Sequence, residues 1–251
     1  MALMQPYFLP YLGYFSLVAH AETFVVFDHV QFLRRGWMHR NRVARRDGGW
    51  DYVTLHVQKA PQDTAIAAMR LALPDGGRTR LRAYVDQAYA EAAPYHADAM
   101  RVLDACLDVD TASLEELAVH ALGVVSGILD LAFSPVRASA LGVSRPEGAP
   151  VSSWALDACA RVGARAYVNS PGGRDLYPPT PFTDAGIGLG FVDVRLAPYS
   201  RGPWSWEPGL SVLDALMFLP PSEVRRHVLA SAVDWVAPVP VVDSSLPSAP
   251  T

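Results

Sequence analysis

The sequence predicts an α/β fold, and three observations carry the prediction. The chain opens on a short apolar strand, Ala2-Leu3-Met4-Gln5, and Pro10 then sits where a proline starts a helix at no hydrogen-bond cost. "TFVVFD" at 23–28 is an unbroken β-branched and aromatic run, the pattern of a strand covered on both faces. Strand, helix and strand thus fit within 28 residues, and the pattern returns near the end with a strand at 165–169 and another in "GIGLGFVDVRL". Together these describe a mainly parallel, Rossmann-like sheet flanked by helices, with a helical insertion at about 78–131.

The elements follow in order. Leu12, Phe15 and Ala19 share one helical face, which ends near Ala21. "QFLRRGWMHRNRVARRDGG" is arginine-rich and ends in a turn, and "WDYVTLHVQ" at 50–58 alternates like a strand. Gly76-Gly77 marks a break before an Ala- and Leu-rich stretch at about 79–131 that reads as helical, with Ser113 and Glu116 placed as a capping box. A strand is expected in "FSPVRASAL" and a helix at 151–162. The loop "SPGGRDLYPPTPF" follows the strand at 165–169. "LSVLDALMFL" and "SEVRRHVLASAV" read as two short helices. Residues 1–236 are expected to form one domain, and the Pro-, Ser- and Val-rich segment 237–251 a flexible tail.

Bulk properties narrow the function. The chain has 251 residues, 51% hydrophobic and 18% charged, enough for a sizeable core. Its formal charge of −4 argues against a protein that coats nucleic acid. No run of about 18 apolar residues is present, so no membrane span is expected. The start lacks the pattern of a secretion signal, and two isolated cysteines, Cys106 and Cys159, make no framework, so the expected location is cytoplasmic. Neither cysteine has a histidine at useful spacing, and both read as packed thiols. The seven histidines are scattered, so no metal is expected, and no motif asks for a cofactor.

Four constellations carry chemistry. "MQPYFLPYLGYF" at 4–15 crosses from strand to helix at the carboxyl end of a strand, where α/β proteins bind ligands. Phe8, Leu12 and Phe15 read as core, whereas the Gln5 amide needs polar partners that a ligand supplies, and Tyr7 and Tyr14 bring hydroxyls beside it. Asp28 closes the second strand at the same sheet edge as Gln5, where partial desolvation would raise its pKa toward that of a base, and His29 needs no such shift. Six arginines fall within residues 34–46, interleaved with Trp37 and His39. With net acidity elsewhere, they fit a phosphate-bearing small ligand or an acidic carrier surface better than a nucleic acid. "SPGGR" offers backbone N–H groups to an anion without the spacing of a phosphate-binding fingerprint, and Ser211 with Asp214 reads as a capping box.

"MQPYFLPYLGYF", "FVVFDHVQFLRRGWMHRNRV", "YVTLHVQK", "YVNSPGGRDLY" and "LSVLDALMF" occur in the order found in the WbqC-like protein family, which the chain resembles over nearly its whole length. The first two blocks are the specific ones. The resemblance points at Gln5, Pro6, Tyr7, Pro10, Gly13 and Tyr14, then at Asp28, Gln31, Trp37, Arg40, Asn41 and Lys59, and more loosely at Gly172, Gly173, Arg174, Ser211 and Asp214. This chain departs from the pattern at His29, where an acidic residue is common, at His39, in place of a polar amide, and at Asn169-Ser170, in place of a Ser-Gly pair. The resemblance implies a setting in polysaccharide or other small-molecule biosynthesis, and attachment of a glycyl or related acyl group to an amino sugar.

The expectation is therefore an N-acyltransferase. It would move an aminoacyl group from a carrier-protein or coenzyme A thioester to a small amine acceptor by direct aminolysis, with an acyl or peptidyl carrier protein as partner. Asp28 or His29 would be the base, with Gln5 as orienter. Tyr7, Tyr14, Gln31, Trp37, Arg40, Asn41, Lys59, Gly172, Gly173 and Arg174 would bind substrate. The alternatives are a nucleotide-dependent ligase or nucleotidyltransferase, and a non-catalytic binder of a pathway intermediate.

Overall fold

The structure, a computed structural model, describes residues 1–45, 48–72, 76–194 and 197–239. Strand β1 (Ala2–Met4) leads through a turn into helix α1 (Leu12–Ala19), and the chain returns as β2 (Phe24–Val26), parallel to β1. Strands β3 (Arg40–Ala44) and β4 (Trp50–Thr54) form an antiparallel hairpin. Helices α2 (Gly77–Tyr89), α3 (His96–Leu107) and α4 (Leu114–Ile128) follow, then β5 (Pro135–Arg137), parallel to β2. Next come α5 (Ser152–Val162), β6 (Ala166–Asn169), a 3-10 turn (Pro171–Leu176), α6 (Pro179–Asp184) and β7 (Gly188–Asp193), parallel to β6. Helices α7 (Val212–Phe218) and α8 (Pro221–Leu229) lead to β8 (Ala232–Ala237), antiparallel to β7.

Two hydrogen bonds stitch the three-stranded sheets together. The Met1 nitrogen donates to the Ala166 carbonyl, and the Val168 N–H donates to the Met1 carbonyl, both at 2.9 Å. One residue bonding to two residues that flank its neighbour is the parallel ladder pattern. The spatial order is thus β5-β2-β1-β6-β7-β8, with β1 and β6 adjacent at the centre. The chain builds outward from β1 on one side and then restarts on the other, which places a topological switch point beside the end of β1.

Side chains alternate across this sheet. Ala2, Phe24 and Val26 enter a core with α1, the helices of the insertion, α7 and α8, while Leu3 and Val25 enter a second core with α5, Tyr167 and Phe182. Both faces are therefore covered, as the continuous apolar run implies. The cap at the start of α4 closes through a third residue. Ser113 Oγ accepts from Glu116 N at 3.3 Å, the Ser113 N–H donates to Thr111 Oγ1, and the Thr111 hydroxyl donates to Glu116.

Three readings need correction. The arginine-rich segment holds a strand, β3, whose Arg40 and Arg42 point away from the buried Asn41 and Val43. The last helix stops at Leu229, and residues 232–237 form β8. Asp214 does not complete a capping box. Ser211 Oγ accepts from Leu213 N, whereas the Asp214 carboxylate accepts from Arg201, Tyr89 and Tyr199. Ala237 ends β8 and is buried, and residues 240–251 of the expected tail lie outside the described residues, as does Arg46 of the arginine group.

Candidate functional site

The entry turn after β1 is held in an unusual shape. Leu9 adopts φ 45°, a left-handed conformation that a side chain disfavours, and it is buried. Three bonds from distant segments hold it. Ser211 Oγ donates to the Leu9 carbonyl at 2.7 Å, Asn41 Nδ2 donates to the Phe8 carbonyl at 3.3 Å, and Val212 N donates to the Pro10 carbonyl at 2.8 Å. From within, the Tyr14 hydroxyl donates to the Gln5 carbonyl at 2.8 Å. Tyr14 is buried, and burial raises its pKa well above the ordinary phenol value, so it stays a neutral donor.

A cavity of about 720 Å³ opens over the carboxyl end of β1. Gln5 and Tyr7 form one wall, residues 31–37 a second, and Ala60 to Gln62 with Met69 the third. The segment after β2 makes this possible by pairing with residues 64–67. Phe32 N donates to Thr64 O, Ile66 N to Val30 O, and Ala67 N to Asp28 O. Gln31 Nε2 donates to the Gln62 carbonyl at 2.6 Å, and Arg34 Nη2 to the Ala60 carbonyl at 2.8 Å, which closes the rim. Neither Arg34 nor Arg35 has a carboxylate partner among the described residues, and the Gln5 side-chain amide makes no hydrogen bond to them. Among the described residues, the lining holds no carboxylate, histidine, serine, threonine, cysteine or lysine. It is a positive, amide-bearing space suited to binding and orienting an anion.

The expected site residues divide into four groups, with Lys59 apart from them. Gln5, Tyr7, Gln31 and Trp37 line this cavity. Asp28 and His29 share its sheet edge but not its lining. Asp28 is buried, and its carboxylate leans toward the β5 side, accepting from the Ser139 N–H at 3.0 Å and from the Ser139 hydroxyl. His29 Nδ1 lies 3.5 Å from Asp28 Oδ1, and the ring packs edge-on against Phe27 and Trp154, with neither ring nitrogen hydrogen-bonded. Arg40, Asn41 and Tyr14 stand behind the walls. Arg40 stacks on Tyr52 at 4.2 Å and donates to the Arg35 carbonyl at 2.7 Å. Lys59 is exposed, one residue before the rim segment.

Gly172, Gly173 and Arg174 form the remaining group, at the end of β6. Gly173 is pressed against Asn169, where an added Cβ would meet Nδ2 at 2.8 Å. Arg174 pairs with Asp234 and stacks over Phe191 at 4.7 Å. The structure does not bring these three into the cavity.

Sequence reasoning missed Arg34 and Arg35 as lining residues, treating them only as part of an arginine group. It also missed Ser139, the partner of Asp28, 111 residues away in sequence, for which no local signal exists. Burial pushes the Cys106 thiol up to about 12 and the Cys159 thiol up to about 11. Among the described residues, no group of three His, Cys, Asp or Glu side chains is placed to hold a metal ion, and no helix is long and apolar enough to cross a membrane.

The sequence model of the WbqC-like protein family matches residues 5–226. The chain is similar to the uncharacterized protein Rv1507c of Mycobacterium tuberculosis, 24% identical over 217 residues, which cover 86% of this chain and 91% of that protein. No solved structure matches it.

Proposed function

The chain belongs to the WbqC-like protein family, and from that premise we propose that it is a biosynthetic enzyme transferring an acyl group from a thioester to an amine by direct aminolysis. The observation that carries this reading is the composition of the large cavity. Among the described residues, it pairs two arginines lacking carboxylate partners with an unbonded amide, and no lining side chain is a competent nucleophile. Tyr7 is the nearest to one, and burial raises its pKa. Two deeply buried thiols elsewhere do not replace it.

In this scheme Arg34 and Arg35 grip the anionic portion of a coenzyme A or carrier-bound donor. The amine nitrogen attacks the thioester carbonyl, the C–N bond forms, and the C–S bond breaks. The thiolate leaves and takes up a proton, while the attacking nitrogen gives one up. The Gln5 amide N–H donates to the carbonyl oxygen as it becomes negative. The nitrogen's proton passes to the departing thiolate, because Asp28 and His29 share the sheet edge but lie outside the lining. Tyr7 and Trp37 shield the thioester from water, which would otherwise hydrolyse it.

The test is turnover of acyl-thioesters with small amines, followed by mass spectrometry of the amide. Arg34→Gln with Arg35→Gln should raise KM for the donor tenfold or more, about 1.4 kcal/mol. Unchanged KM would remove the arginines from the scheme. A second reading, nucleotide-dependent ligation, is favoured by the strand order, which is that of dinucleotide-binding sheets. Titration calorimetry with ATP and Mg²⁺ separates the two, because only the ligase reading expects binding.

A further inference from the structure

A second, smaller cavity of about 220 Å³ adjoins the first, and the two share Tyr7 and Trp37 as a common wall. Tyr11, Asn41, Arg42 and Gly209 complete its lining. The Tyr11 ring is parked here because residue 13 is glycine: a Cβ at Gly13 would lie 2.3 Å from Tyr11 Cε2. Burial raises the pKa of both Tyr7 and Tyr11, so their hydroxyls stay neutral. Among the described residues, the one formal charge in the lining is therefore the Arg42 guanidinium.

Arg42 is held oddly. Its guanidinium sits between two indoles, 5.0 Å from the Trp37 ring centre and 4.7 Å from that of Trp50. Its side chain has no hydrogen bond or ion pair with any described residue, and its Nε is shut off from water without a partner. Other arginines of this protein answer to a carboxylate: Arg82 to Asp104, Arg161 to Asp157, Arg201 to Asp214. Two indole faces offset part of the cost of burying Nε, and the terminal N–H groups, which are not buried, have no acceptor among the described residues. A guanidinium fixed by stacking and turned toward a ring-walled hollow is arranged to receive an anion.

We infer that this smaller cavity is a binding compartment for a single ring that carries a carboxylate or phosphate, with the anion on Arg42 and the ring among Tyr7, Tyr11 and Trp37. At about 30 Å³ per water the space equals roughly seven waters, room for one substituted ring and little more. The shared wall places that ligand against whatever fills the larger cavity. The compartment stands without the acyl-transfer reading, because binding alone reveals it.

The experiment is titration of the full chain, without any donor, with benzoate and phenyl phosphate, and with benzamide and benzylamine as neutral and cationic counterparts. At least one anion should bind tenfold or more tightly than benzamide, with benzylamine weakest, and the stronger of the two names the anion. Arg42→Gln should cut that preference below twofold. Arg42→Lys, which keeps the charge, should retain part of it, with thermal melts confirming that both variants fold. Arg34→Gln with Arg35→Gln should leave the preference intact. Equal binding of benzoate, phenyl phosphate and benzamide, or no binding of any probe, would overturn the inference. So would a preference that survives Arg42→Gln and disappears with the Arg34 and Arg35 changes.

Discussion

His39 is where the fold changes a side chain's chemistry most. It is 7% exposed, packs against Phe32 behind the cavity wall, and leaves Nδ1 without a partner. Burial, with Arg40 nearby, lowers its pKa to about 4. The unfolded residue takes a proton below about 6.5, so between those values the unfolded chain binds more protons and stability falls as pH drops. His39 should account for on the order of 2 to 3 kcal/mol of stability lost between pH 7 and pH 4.5. Urea unfolding at both pH values should show His39→Gln losing that much less than the wild type, and parallel losses would refute the assignment. The two cysteines supply a second test at this scale. With their pKa values pushed to about 12 and about 11, native protein at pH 8 should resist iodoacetamide, and both thiols should react once it is unfolded. Fast native labelling would show an accessible thiolate and reopen a covalent route. Of these residues, the cysteines' packing could be read from their apolar helical neighbours. The state of His39 could not, because it depends on what the hairpin packs against.

At the scale of elements, the entry turn and α7 support one another. Ser211 caps α7 and also holds the Leu9 carbonyl, so one hydroxyl serves two segments 202 residues apart in sequence. Asp214 on the same helix is fully buried and gathers Arg201 at 2.8 Å, Tyr89 at 3.0 Å and Tyr199 at 2.6 Å, and Tyr89 in turn accepts from Ala44 N of β3. Asp214→Ala would leave Arg201 buried without its anion, which should cost about 3 to 5 kcal/mol. Chemical denaturation measures this directly, and a loss under about 1 kcal/mol would mean that water or relaxation replaces the carboxylate. The strands and helices with continuous apolar runs or regular helical faces were legible in sequence. Strand β3 was not, because its outward arginines are stabilised by rings on its partner: Arg40 by Tyr52, and Arg42 by Trp50. Strand β8 was hidden because its pairing with β7 rests on Gly190, where any Cβ would collide with Val233 at 2.3 Å. Cross-strand fits of this kind leave no mark in local periodicity.

For the whole molecule, the parallel α/β class followed from the order of strands and helices along the chain. The reversal that sets β6 beside β1 did not, since the two bonds that make it join residues 165 or more apart. The glycine-rich turn after β6, although next to the end of β1, contributes no residue to the lining of the arginine-rich cavity. Among the described residues, the lining of the large cavity is positive and holds no nucleophile, which supports the central proposal that two bound substrates are joined there directly. Single-turnover mass spectrometry of the intact protein, mixed with an acyl-thioester and then with an amine, tests it most directly. The account predicts amide product with the protein mass unchanged at every time point. A transient protein species heavier by the acyl group, formed before amine is added and consumed by it, would contradict it.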